Sequence, residues 1–348
     1  MKALLERSYG HRCACASQLT REPRRAVQTY VAAASSVATA PLDSPAPSAQ
    51  ASFEFVCPIC LTHKISAAGH PARAADPSCP RCRRTFSQQP DYLDLTLTSG
   101  LEPVVYNQKA WGGTELFRSP LISYVYERGW RQGFLWAGFP GVDKEFDMAM
   151  QYLQPAYGKV LVDMSCGSGL FSRRFARSGC FSGVVAADFS ESMLQQAKIF
   201  FQEDGTLPSS SSTSSSPAPG SCPLMLLRAD VARLPFETGS VAAIHAGAAI
   251  HCWPNPQAAL AEISRVLAPG GVFVGTTFMV AAAPLGAVVG DSLVRPLNQL
   301  DKRLAGPYKW WEEAELRDLS ASVGLQDFKC ERQWRFIMFA ATKPQPLQ

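Results

Sequence analysis

Val160-Leu-Val-Asp-Met-Ser-Cys-Gly-Ser-Gly-Leu-Phe171 is the stretch whose reading decides the fold. Val160, Leu161 and Val162 are aliphatic and follow Gly158, which suits a central strand buried on both faces. Asp163 ends that strand. Cys166-Gly-Ser-Gly169 then lets the backbone turn tightly and pass a ligand without Cβ clashes. Leu170, Phe171 and Phe175 follow at helical spacing. A strand, a glycine turn and a helix in this order place a ligand at the carboxyl edge of a parallel sheet, beside a helix N-terminus.

The next segments repeat the alternation. Gly183-Val-Val-Ala-Ala-Asp188-Phe-Ser-Glu-Ser-Met193-Leu is a second apolar strand ending in an acid, with an amphipathic helix from Met193 to Phe201. An acid about twenty residues past such a turn can accept both ribose hydroxyls of a nucleoside. The glycine pattern, however, is not the G-x-G-x-x-G of dinucleotide folds. A third strand, Leu224-Met-Leu-Leu-Arg, runs into Ala-Asp230-Val231. Val241-Ala-Ala-Ile-His245-Ala-Gly247 is a fourth, followed by Ala-Ala-Ile-His251-Cys-Trp253. A helix over 255–267 ends at Pro269-Gly-Gly271, a fifth strand runs from Val272 to Phe278, and residues 329–342 can form a closing antiparallel pair.

Asp-Met-Ser-Cys-Gly-Ser-Gly resembles the D/E-x-G-C-G-x-G turn of class I S-adenosylmethionine-dependent methyltransferases. Asp188-Phe-Ser-Glu-Ser-Met-Leu resembles their D-x-S-x-x-M-L motif, and Arg265-Val-Leu-Ala-Pro-Gly-Gly their late R-V-L-x-P-G-G signature. The resemblance implies an α/β class I methyltransferase fold, Rossmann-like, with a seven-stranded, mostly parallel sheet and an antiparallel last strand. It implies S-adenosylmethionine as cofactor. Asp163, Ser165, Cys166, Gly167 and Gly169 would meet its methionine end, and Asp188, Phe189 and Met193 its ribose and adenine. Asp230 would accept the adenine amino group and the Val231 amide would meet a ring nitrogen. Gly247 would close the site. Ser165 stands where that family usually has glycine.

A closer likeness covers residues 53 to 343. Tyr92-Leu-Asp-Leu, Thr114-Glu-Leu-Phe-Arg-Ser-Pro, Glu127-Arg-Gly-Trp-Arg-Gln, Ser165-Cys-Gly-Ser-Gly and His245-Ala-Gly-Ala-Ala-Ile-His-Cys-Trp-Pro look like a plant and algal group of plastid methyltransferases. Some of that group are associated with plastoglobules. The same order of modules is similar, more distantly, to bacterial ribosomal-RNA guanine-N1 methyltransferases.

The rest of the chain divides by composition. Residues 1–50 hold six Lys or Arg against three acids, are rich in Ala, Ser and Thr, and contain no apolar core of secretory length. They read as a transit peptide or a disordered tail, and the resemblance favours a chloroplast address. Residues 51–97 carry Cys57-Pro-Ile-Cys60 and Cys79-Pro-Arg-Cys82, with eighteen residues between the pairs. Two C-x₂-C knuckles at this spacing fit a structural, zinc-ribbon-like Cys₄ site. Two disulfides are the alternative, disfavoured in a reducing compartment. His63 and His70 lie between the knuckles. Residues 98–157 are unusually aromatic (Tyr106, Trp111, Phe117, Tyr124, Tyr126, Trp130, Phe134, Trp136, Phe139), as a helical cap or as rings lining an acceptor pocket. Residues 158–343 form the cofactor domain, interrupted at 205–221 by a Ser/Pro-rich surface insertion.

Charge speaks to the acceptor. The net charge of +4 comes from residues 1–100, which leaves the remainder near neutrality. An RNA enzyme should carry a basic footprint. Arg81, Arg83 and Arg84 keep RNA open without favouring it. Gly270 to Gly290 contains no charge, yet Pro284 and the glycines interrupt it, so no transmembrane segment is expected. Val280 to Val289 either packs against the cap, or lines a lipid-like acceptor site or touches a lipid surface. If the acceptor must lose a proton, His251 is the first candidate base and His245 the second. A scaffold that binds the cofactor without turnover is a further reading, against which the intact acids and glycines stand.

Overall fold

The computed structural model describes residues 53–66, 76–101, 130–206, 220–304 and 308–346. Two short antiparallel hairpins come first. β1 (Glu54–Val56) pairs with β2 (Lys64–Ser66), and β3 (Ser78–Cys79) with β4 (Arg84–Thr85). Then come β5 (Leu93–Asp94), α1 (Val142–Leu153), β6 (Val160–Met164), α2 (Leu170–Arg177), β7 (Gly183–Asp188) and α3 (Glu191–Glu203). β8 (Leu224–Arg228), β9 (Val241–Ala246), α4 (Pro256–Val266) and β10 (Leu267–Phe278) continue the alternation. α5 (Ala283–Val289), α6 (Asp291–Leu304), α7 (Glu313–Ser322) and the hairpin of β11 (Gln326–Gln333) and β12 (Phe336–Thr342) close the chain.

The main sheet runs β11-β12-β10-β9-β6-β7-β8-β5. Only β12 opposes its neighbours. From β6 the chain steps outward to β7 and β8, returns to β9, and steps the other way to β10. The ligand crevice of such a sheet lies where this order reverses, outside the carboxyl ends of β6 and β9. The seven expected strands are all present. The eighth, β5, is a two-residue edge strand that lies parallel to β8, with Leu93 opposite Leu227 and Asp94 opposite Arg228.

Local chemistry fixes the helix starts. Ser190 caps α3 by accepting the Met193 amide, and Asn255 caps α4 by accepting that of Ala258, with Pro256 at the first helical position. Glu312 and Glu315 form a reciprocal capping box on α7. Strand side chains alternate between faces. Leu161, Val184, Ala186 and Val274 join α1, α2 and α3 in one core. Val162, Val185, Leu227, Ile244 and Phe273 join α4 and α7 in the other.

The second face has a gap that this fold must fill. A parallel sheet is stable only with both faces covered, yet the β8–β9 connection contains no helix. Instead Phe55, Ile65 and Phe86 of the N-terminal hairpins join the core beside Val231, Leu234 and Phe236. Phe55 lies 5.6 Å from Phe236, ring centre to ring centre.

The uncharged stretch 270–290 divides. Its first half is β10, and Val280 and Ala283 are buried. Beyond them α5 and α6 leave Leu285, Val288, Leu293, Leu297 and Leu300 exposed. Both acids of α6 are paired: Asp291, still exposed, with Arg332, while Asp301 accepts the Ala281 amide and faces Arg335. Among the described residues no helix is long and apolar enough to cross a membrane. The expected leader at 1–50, His70, the aromatic residues from Tyr106 to Tyr126 and the heart of the Ser/Pro insertion lie outside the described residues.

Candidate active site

The glycine turn is held by its own backbone. Ser165 adopts φ 57°, Gly167 φ 56° and Gly169 φ 76°. The Cys166 amide donates to the Ala187 carbonyl at 3.0 Å, and the Gly167 amide to Asp188 Oδ2 at 2.9 Å. The other carboxylate oxygen of Asp188 accepts the Ser190 amide at 2.8 Å. Each oxygen keeps a lone pair, so the carboxylate can still accept hydroxyl groups from the crevice. Burial pushes the Asp188 pKa up, and these amides oppose the shift.

Two predicted site residues sit differently from expectation. Asp163 is 1% exposed. Its Oδ1 meets His245 Nδ1 at 2.7 Å and its Oδ2 accepts the Ser172 hydroxyl at 2.5 Å. The carboxylate therefore braces the turn from below and does not face the crevice. His245 is equally buried, against the rings of Phe171 and Phe175, which removes it as a base. Gly169 is small for packing reasons, since a Cβ there would lie 2.3 Å from the Phe201 ring of α3. Gly247, similarly, has His245 and Phe171 against it.

The remaining expected residues gather at the carboxyl ends of the strands. Phe189 and Arg228 line a cleft of about 420 Å³ together with Asp94, Ser190 and Glu191. The Arg228 guanidinium lies over the Phe189 ring at 5.4 Å. Met193 is buried at the start of α3. Asp230 stabilises its own turn, its Oδ1 accepting the Ala232 amide at 2.8 Å, with Val231 nearly buried.

On the other side of the crevice the loop after β9 carries His251, which is 5% exposed. Its Nδ1 lies 3.3 Å from the Thr277 hydroxyl. Its ring meets Phe278 edge-on at 4.8 Å and lies 5.9 Å from Tyr308 and 6.3 Å from Trp310. Phe134 and Phe139 pack on Phe278 from behind, so part of the aromatic segment supports this box. Burial lowers the His251 pKa to about 3. Such an imidazole is neutral at physiological pH and too weak a base to abstract a proton there; hydrogen bonding is what it can offer. Sequence reasoning found His251 but missed Thr277, Tyr308 and Trp310; the signal for the last two was the aromatic run Tyr308-Lys-Trp-Trp311. Burial also raises the thiols of Cys166, far above its ordinary value, and of Cys252, to about 12, so neither is a nucleophile.

Trp253 ties the two sides together, donating its indole N–H to Ser165 Oγ at 3.0 Å.

Cys57, Cys60, Cys79 and Cys82 converge, their sulfurs all within 4.8 Å of one another. The residue after each knuckle, Leu61 and Arg83, takes a left-handed conformation, so the two turns repeat one geometry. Cys60 and Cys79 sulfurs are 3.8 Å apart. Tetrahedral zinc with thiolates at about 2.3 Å requires sulfurs about 3.8 Å apart, so the donor set fits such an ion. Four protein ligands leave no open position for substrate. His63 is not among the converging groups.

A strand-ordered sheet with this glycine turn at its switch point defines a class I S-adenosylmethionine-dependent methyltransferase. The family model described as a methyltransferase domain matches residues 162–275. The chain is 46% identical over 295 residues to the uncharacterized methyltransferase At2g41040, chloroplastic, of Arabidopsis thaliana, covering 83% of this chain and 78% of that protein. It is 44% identical over 297 residues to At1g78140, also chloroplastic, covering 83% and 79%. The chain belongs to the family of these methyltransferases. More distantly it is 26% identical to the ubiquinone/menaquinone biosynthesis C-methyltransferase UbiE of Bordetella parapertussis, over 64% of this chain and 77% of that one. Among solved structures, phosphoethanolamine N-methyltransferase 2 of Haemonchus contortus with S-adenosyl-L-methionine is similar at 15% identity and TM-score 0.44, over 59% and 53%.

Proposed function

We propose that this chain methylates a small or lipid-like acceptor, of the quinone type, in the chloroplast, with S-adenosylmethionine as donor. The observation that carries the acceptor class is the box of His251, Phe278, Tyr308 and Trp310 at the loop after β9 and the end of β10. It offers flat apolar walls and one neutral imidazole, which suits a ring rather than a phosphate chain. The exposed apolar face of α5 and α6 adjoins it in sequence and fits contact with a lipid surface such as the plastoglobule. Relatives named for chloroplast location and for menaquinone or ubiquinone methylation point the same way.

In this reading Asp188 accepts the ribose hydroxyls, Phe189 faces adenine, Asp230 and Val231 read its edge, and Met193 backs it. Ser165, Cys166 and Gly167 line the methionine end, with Gly247 beside them. Asp163 and Gly169 act through the shape of the turn. Residues 1–50 are the transit peptide and 51–97 a structural zinc ribbon, followed by the aromatic cap and the cofactor domain. Transfer is an in-line displacement at the sulfonium methyl, and positioning supplies much of the rate. RNA is the weaker acceptor: of the small basic cluster Arg84 is engaged by the Leu97 and Ser99 carbonyls, and the chain beyond residue 100 is near neutrality.

Two measurements test this. Asp188→Ala should weaken S-adenosylmethionine binding about ten- to a hundredfold by calorimetry. Incubation with methyl-labelled cofactor and fractionated plastid extract should put label into solvent-extractable product. Label in RNA would move the acceptor to RNA, and cofactor binding without turnover on any fraction would leave a scaffold.

A further inference from the structure

Besides its apolar packing on the sheet face, the Cys₄ module makes two polar contacts beside the residues assigned above to adenine. The first is Arg233, three residues past Asp230. Its Nε donates to the Pro58 carbonyl at 2.6 Å and its Nη2 to the Ile59 carbonyl at 2.7 Å. Pro58 and Ile59 are the two residues between Cys57 and Cys60, so Arg233 holds the inside of a metal knuckle. Its own amide closes the 230–233 turn on the Asp230 carbonyl at 2.9 Å. The Val56 amide adds a bond to the Pro235 carbonyl at 2.9 Å.

The second contact is Asp94 of β5. It is 4% exposed, and its Oδ1 accepts the amide and hydroxyl of Thr96. Its Oδ2 accepts Arg228 Nη1 at 2.8 Å. Arg228 in turn donates from Nε to the Phe189 carbonyl at 3.1 Å and covers the Phe189 ring. The segment that follows the metal knuckles thus fixes the wall after β7 as the knuckle itself fixes the wall after β8.

We propose that the metal-bound module is a working wall of the nucleoside pocket, with Arg233 as the positioning residue that carries its rigidity to Asp230 and Val231. The proposal rests on the assignment of Asp230 and Phe189 to adenine and of zinc to the four cysteines. Bound zinc supplies one thing here: it locks the knuckle backbone. The Pro58 and Ile59 carbonyls are then fixed acceptors for a planar fork. Without that lock the fork holds a mobile loop, and the adenine turn loses its support.

The test uses the whole protein, with zinc measured by metal analysis and binding of S-adenosylhomocysteine and methylthioadenosine by calorimetry. Arg233→Met should keep one zinc per chain and the wild-type circular dichroism yet bind both ligands about tenfold more weakly, as loss of a charged hydrogen-bond pair implies. Equal loss on methylthioadenosine, which lacks the amino acid, puts the effect on the nucleoside half. Arg233→Lys should recover part of it. Removing zinc should weaken wild-type binding to a like extent and add little in Arg233→Met, because both act through one contact. Asp94→Asn provides an independent handle should Arg233→Met fail to fold, and a several-fold loss is expected there too. Zinc-loaded and stripped wild type binding equally, or variants binding as wild type, would overturn the proposal while leaving the cofactor site intact. Failure of zinc-loaded wild type to bind either ligand would overturn both.

Discussion

The glycine-turn side and the aromatic side of the crevice share one sheet edge but are built by opposite means. The glycine turn is contiguous, 165–169, and its geometry is backbone: three positive φ angles and two amide bonds. The aromatic box, proposed above to hold the acceptor, is assembled from His251, Phe278, Tyr308 and Trp310, which come from the β9 loop, the end of β10 and the segment after α6. Its geometry is ring packing. Backbone constraints admit few substitutions, whereas ring packing can be retuned one wall at a time. One side of the crevice is thus held to one shape, and the other can be reshaped ring by ring. The cysteine knuckles belong with the turn, as contiguous motifs with all-or-none consequences.

The largest effect should come from those knuckles. Structural zinc sites contribute on the order of 10 kcal/mol of apparent binding free energy. Cys57→Ser with Cys79→Ser should abolish metal content and lower the melting temperature sharply, while the cofactor domain stays folded at 25 °C. Unchanged melting would mean that the sheet face is covered without the metal, and the knuckles would no longer group with the turn.

Next is Gly169→Ala. The new Cβ would need left-handed backbone and would press on Phe201 at 2.3 Å. Together these should cost about 2–4 kcal/mol in denaturant unfolding. Phe201→Leu in the same chain should return part of it by making room. Full tolerance of alanine would break the claim that the turn is set by close packing.

What was legible in the chain follows the same division. Strands β6, β7, β8, β9 and β10 and the turn could be read because each carries an apolar run, and those of β6, β7, β8 and β9 run into Asp or Gly within a residue or two. The four cysteines were legible because a tetrahedral ion needs that spacing. Three things were not. β5 has two residues, too few for a period. Asp163 looks like a ligand in sequence, and only its register opposite His245 sends it under the turn. The box needs the fold before Tyr308 and Trp310 can meet His251, some sixty residues away. His251 itself was legible as a residue but not as a weak base, because burial is a property of the assembled box.

That burial gives the third prediction. The folded pKa is about 3 and the unfolded value near 6.5. Below pH 6.5 the unfolded chain binds a proton that the folded chain refuses, so stability falls as pH drops from 6.5 towards 3. At pH 5 the loss should be on the order of 1–2 kcal/mol. His251→Phe should flatten this part of the melting-temperature profile. The pH dependence of turnover should show no step from His251 between pH 6 and 8. A step that disappears with His251 would restore it as a base and make the acceptor side chemically active rather than merely shaped.

The smallest effect lies where the two sides meet. Ser165 belongs to the turn, at φ 57°, and accepts the Trp253 indole from the loop that carries His251. Glycine at 165 would relieve about 1 kcal/mol of left-handed strain and lose a hydrogen bond of similar net worth. The two cancel, so Ser165→Gly should melt close to wild type. Ser165→Ala keeps the strain and strands the buried indole N–H, since Trp253 is 4% exposed. It should lose about 1–2 kcal/mol. Both variants lack the hydroxyl, so the gap between wild type and Ser165→Ala measures the tie. A gap near zero would mean that the turn and the acceptor loop hold their places independently. A gap of the expected size would make Ser165, rather than the glycine usual at this position, the contact through which the backbone-built side fixes the ring-built one.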